Sequence, residues 1–142
     1  MLISGLLPAQ NFTKQDSLKG SDTSFRNFWD VKKYEISVEP HFEEKSVSGT
    51  NKIIFEITKD ITNPTFQIDL QQPMNYKIIN SEEKWWSSRR DGDFIFIETK
   101  KNYKKGETHS FTIQFFGNPT IAKNAPWDGG WVFTKDKNNN PW

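Results

Sequence analysis

Lys33-Tyr34-Glu35-Ile36-Ser37-Val38-Glu39 alternates apolar and polar side chains over its whole length. A period of two puts Tyr34, Ile36 and Val38 on one face of an extended chain and the charged residues on the other, the pattern of a half-buried β-strand. Pro40 has no N–H to give to a ladder, so the strand is expected to end there. Beyond the polar Glu43-Glu44-Lys45 stretch a second strand begins near Val47. Gly49 interrupts it early, and Ile53, Phe55 and Ile57 then resume the alternation, so the two strands are expected to pair as an antiparallel hairpin.

The same rhythm recurs downstream. Asn63-Pro64 marks a turn before Phe66, Ile68 and Leu70, and a short strand follows around Tyr76–Ile79. Asp91-Gly92 is a hairpin signal ahead of Phe94-Ile95-Phe96-Ile97, whose unbroken apolar run predicts a central strand buried on both faces. Lys104-Lys105-Gly106 turns the chain into Phe111, Ile113 and Phe115. About seven strands at this spacing predict an all-β fold, an antiparallel β-sandwich or saddle-shaped sheet. Composition agrees: 12 Phe, 6 Trp, 3 Tyr and 13 Ile stand against 5 Leu and 3 Ala, an inventory suited to pleated surfaces rather than helices.

The flanks differ from this centre. Met1–Gln10 resembles the tail of a secretory signal but lacks a basic start, and the alternative is a disordered terminus. Residues 11–27 show neither period and read as an extended lead-in with little packing, so residues 1–28 are set apart from a β domain over 29–142. After Asn118-Pro119 the chain turns to Pro126-Trp127-Asp128-Gly129-Gly130-Trp131, expected to be a structured loop or short hairpin. A chain stopping on Pro141-Trp142 is expected to be part of something longer.

The 142 residues suffice for one domain, and the absence of Cys excludes disulfides, thiol catalysis and cysteine-ligated metals. Nineteen basic against 18 acidic side chains leave a net charge of +1, which gives no field to attract nucleic acid. No apolar stretch is long enough for a membrane helix. The two histidines, His41 and His109, lie in polar surroundings without a nearby partner, are expected at the surface and make no zinc motif. The chain has no nucleophile elbow and no phosphate loop, and Glu43-Glu44 and Glu82-Glu83 read as solvated turns. Asn11-Phe12-Thr13 matches a glycosylation acceptor, a pattern common by chance.

The tryptophans offer the sharper features. Trp85-Trp86 beside Arg89-Arg90 is either a platform for a sugar ring or a stacked base, or a core residue with its neighbour at the sheet edge. Trp127 and Trp131 flank Asp128, Gly129 and Gly130 in a loop that either seals a sheet end or faces a partner surface.

These residues resemble a known family. The spacing Tyr34-x-Ile36-x-Val38-x-Pro40, Val47-Ser48-Gly49-x-Asn51-x-Ile53, Phe66-x-Ile68-x-Leu70 and Lys105-Gly106-Glu107 before Phe111-x-Ile113 is similar to the N-terminal β domain of zinc aminopeptidases of the aminopeptidase N and leukotriene hydrolase type. The Trp127–Trp131 segment and Asn11–Leu18 resemble a bacterial, exported subgroup, which implies a periplasmic, cell-surface or extracellular location. The resemblance implies a non-catalytic domain that packs on a catalytic module and helps shape the cleft for a peptide substrate. Trp127, Asp128, Gly129, Gly130 and Trp131 become candidates for the substrate-side or inter-domain surface. The family's H-E-x-x-H zinc helix and G-x-M-E-N motif have no counterpart here, so no catalytic or metal-ligating role passes to any residue. Zinc is expected in the parent's catalytic domain and no cofactor in this chain. The rival expectation is a stand-alone carbohydrate-binding or adhesive β-sandwich.

Overall fold

A computed structural model describes residues 12–81 and 87–142. It is mostly β: nine strands and one short helix among the described residues, in three antiparallel sheets. In chain order they are α1 (Lys14–Gly20), β1 (Trp29–His41), β2 (Ser46–Ile57), β3 (Ile61–Thr62), β4 (Thr65–Asp69), β5 (Asn75–Ser81), β6 (Ser87–Asp91), β7 (Phe94–Glu98), β8 (Asn102–Tyr103) and β9 (Thr108–Gly117). The larger sheet runs β1-β2-β9-β5, the smaller β4-β7-β6, and β3 pairs with β8.

The two larger sheets face each other across one aromatic core. Phe55 of β2 and Phe111 of β9 meet Phe66 of β4, with ring centroids 5.1 and 5.9 Å away. Phe28, Ile53, Ile57, Ile95, Ile97, Tyr103 and Ile113 complete this buried cluster. As the unbroken run predicts, β7 is the middle strand of its sheet. Ile95 and Ile97 enter the main core, while Phe94 and Phe96 point outward into a second cluster with Leu18. The Asp91-Gly92 signal places the β6–β7 hairpin, closed by the pair Asp91↔Phe94.

Three expectations are corrected. The lead-in is not a loosely packed extended segment. Thr13 caps α1, its hydroxyl accepting the Asp16 N–H while the Asp16 carboxylate accepts the Thr13 N–H. Leu18 then packs on Phe94 and Phe96, Phe25 meets Phe96 edge-on at 5.1 Å, and Phe28 is fully buried in the main core. This segment covers the outer face of the smaller sheet, which is why β7 is buried on both sides. Next, Pro40 does not end β1: it pairs with Val47 and the strand closes at His41↔Ser46. β1 is the edge of its sheet, where a missing N–H leaves no bond unmade if it faces outward. Lastly, Tyr34, Ile36 and Val38 are not half-buried but 55%, 60% and 47% exposed. They share a face with the buried Ile53 and Ile113, yet the three-stranded sheet does not reach far enough sideways to cover the four-stranded sheet's edge strand.

Candidate functional site

The segment after β9 is ordered by two aspartates. The Asp128 carboxylate accepts the backbone N–H groups of Lys123 and Asn124 at 2.7 and 2.8 Å. The Asn124 amide first, and then the Lys123 amide, hold its pKa below the ordinary carboxylate value against the opposing effect of burial. Gly129 and Gly130 have φ of +66° and +106°, and a Cβ on Gly130 would lie 2.8 Å from the Thr120 carbonyl oxygen. That close approach lets Trp131 donate its N–H to Thr120 and accept from Ala122, at 2.8 and 3.0 Å. The five residues singled out in the sequence thus lie in one loop. Asp128 and the glycines shape it, and the two indoles flank the turn they make.

The indoles have different surroundings. Trp127 is 89% exposed. Trp131 stacks on Phe133 with centroids 6.0 Å apart and lines two neighbouring clefts. One, about 280 Å³, also involves Leu70 and Met74. The other, about 310 Å³, is almost wholly apolar and is walled by Pro40, Phe42, Trp131, Val132, Phe133 and Trp142. Phe42 and Trp142 were not singled out by the sequence as site residues. Trp142 is held by reciprocal backbone bonds with Thr134 at 2.7 and 2.8 Å. Asp136 fixes the intervening turn by accepting the Asn138 and Asn140 N–H groups, each at 2.8 Å. Its pKa is lowered by the Asn140 backbone bond first.

Trp85 and Trp86 lie outside the described residues. The arginines beside them are engaged: Arg89 lies over the Phe96 ring at 4.2 Å, and Arg90 donates to the Met74 carbonyl at 2.7 Å. His41 meets the Ser48 hydroxyl at 2.9 Å. His109 is not a surface residue as expected, since its side chain is only 15% exposed, packed on Phe55 and Tyr103 and 3.1 Å from Glu107. Among the described residues there is no group of three or more metal-ligating side chains. None of their helices is long and apolar enough to cross a membrane. No protein-family model matches the chain, and no curated protein matches it.

Proposed function

We propose that this β domain is the non-catalytic N-terminal domain of an exported bacterial zinc aminopeptidase. It packs on the catalytic module and helps shape the cleft that receives the peptide substrate. The strand spacing and the Pro-Trp-Asp-Gly-Gly-Trp segment motivate the family. The observation that carries the docking role is the apolar cleft between Phe42 and Trp142, contiguous with the exposed Val132. Monomeric domains rarely leave such surface uncovered unless it serves an interaction. The loop around it is held by the Asp128 carboxylate and by backbone hydrogen bonds of its own, so it meets a partner already shaped and little ordering entropy opposes docking. Zinc and the water it activates belong to the partner module, where the metal acts as Lewis acid.

Reading the coding region downstream of Trp142 tests this. An H-E-x-x-H helix should follow in frame, the longer product should cleave N-terminal residues from peptides, and this chain alone should hold no stoichiometric zinc. A downstream region without that helix, or peptidase activity in this chain alone, overturns the reading.

A further inference from the structure

The open edge of β1 carries an independent message, written in its hydrogen-bond phase. Ile57 donates its N–H to the Glu107 carbonyl at 2.9 Å. Antiparallel ladders alternate bonded and non-bonded pairs, and the β2–β9 register runs without a shift from Glu56↔Thr108 to Val47↔Gly117. Odd-numbered residues of β2 therefore bond to β9, and even-numbered ones bond to β1. Thr50↔Ser37 and Lys52↔Glu35 are bonded pairs on the β1 side. It follows that the N–H and C=O groups of Tyr34, Ile36 and Val38 point off the free edge, where no strand among the described residues meets them. Pro40 shares their phase, so its missing N–H also faces outward.

We infer that β1 pairs antiparallel with β1 of a second copy of this chain, about a two-fold axis at Ile36, extending the four-stranded sheet into one of eight strands. In this register Ile36 opposes its own mate, Tyr34 opposes Val38, and all three outward N–H groups find carbonyls. On the charged face Lys33 lies opposite Glu39, and Glu35 lies opposite Ser37. Within its own chain Lys33 also meets Glu35 at 2.7 Å and Lys52 lies 3.9 Å from it, so in the pair Lys33 sits between its own Glu35 and the opposing Glu39.

Neighbouring registers fail on the same residues. An axis one step earlier sets Glu35 against Glu35, and one step later sets Glu35 against Glu39, both like-charge contacts. An axis at Val38 brings Pro40 into the ladder opposite Ile36, where it has no N–H to give. An axis at Tyr34 runs into the register shift between Val31 and Lys33. Charge complementarity thus selects the Ile36 axis, and the apolar face agrees with it. The added strand presents its own Tyr34, Ile36 and Val38 beside the uncovered cleft lined by Ile36, Ile68, Leu70 and Phe115.

Sedimentation velocity of the full chain across a concentration series tests the pairing, with circular dichroism confirming that each variant keeps its β content. The wild type should shift from monomer to dimer. Lys33→Glu and Glu39→Lys should each weaken the dimer about tenfold, since two symmetric pairs turn from attraction to repulsion. Mixing the two variants should restore it, because both pairs are then attractive again. Ile36→Lys should abolish it without touching the β2 ladder. A wild-type chain that stays monomeric leaves the edge to a foreign strand and overturns the proposal. So does a dimer that survives Ile36→Lys, or one whose charge variants do not rescue each other. The outcome is independent of whether a zinc helix lies downstream.

Discussion

Gly49 shows how one missing side chain sets a strand's neighbours. A Cβ there would lie 2.1 Å from the Ser37 carbonyl oxygen and 2.6 Å from Cζ of Phe115. The Phe115 ring lies across β2 in the space the glycine leaves, so Gly49→Ala must displace either the ring or the β1 backbone. Overpacking of this kind costs about 1–3 kcal/mol, which should appear as a lower urea midpoint with an unchanged slope. Asp128 makes a different prediction. Its carboxyl titrates below the ordinary value because the folded loop donates N–H groups to the charged form. The loop's stabilisation is therefore complete above the unfolded carboxyl pKa of about 3.9, and is lost as pH falls through the lower folded value. Amide proton shifts of Lys123 and Asn124 should report that transition, and Asp128→Asn should remove it. In the sequence the Asp-Gly-Gly triplet identified a shaped loop, but not that the carboxylate is used internally, because its amide partners lie four and five positions upstream.

Among the elements, α1 has an influence out of proportion to its seven residues. Leu18 is its buried residue, and it covers Phe94 and Phe96. Gln67 Nε2 donates to the Leu18 carbonyl at 2.9 Å, tying the helix to β4. Leu18→Ala should cost about 2 kcal/mol, the low end for leucine truncation at a site beneath a surface helix, and calorimetry should record the lower melting temperature. The helix was not legible because one buried leucine in two turns has no period to detect. The Thr13-x-x-Asp16 spacing was the available signal, a capping box with Asp in place of Glu. β7 was legible for the opposite reason: four consecutive buried residues need cover on both faces, whichever elements supply it. β1 was half legible. Its alternation fixed the strand and its apolar face, but whether that face is covered depends on how far the opposing sheet extends, which no local pattern contains.

At the scale of the whole molecule, the all-β architecture was legible because period-two patterning specifies strands and turn residues delimit them. The division of strands among three sheets was not, since long-range pairings such as β2 with β9 leave no local mark. The division has an energetic consequence. Phe66 touches Phe28, Trp29, Phe55, Tyr103 and Phe111, with centroids between 4.9 and 5.9 Å, so it joins both sheets and the segment before β1. Removing that ring leaves a cavity where the layers meet, and Phe66→Ala should cost about 3–5 kcal/mol. That is a large share of the roughly 5–15 kcal/mol a domain of this size has in total, so the variant should be substantially unfolded or melt far below the wild type. Trp127 is larger, yet at 89% exposure it contributes almost nothing to this core. Trp127→Ala should leave stability within about 0.5 kcal/mol of wild type. Parallel denaturation of the two variants separates the aromatics that hold the sheets together from those that stand in solvent. A marked loss of stability in Trp127→Ala would place that indole in the fold's own support and end its candidacy for the proposed docking surface.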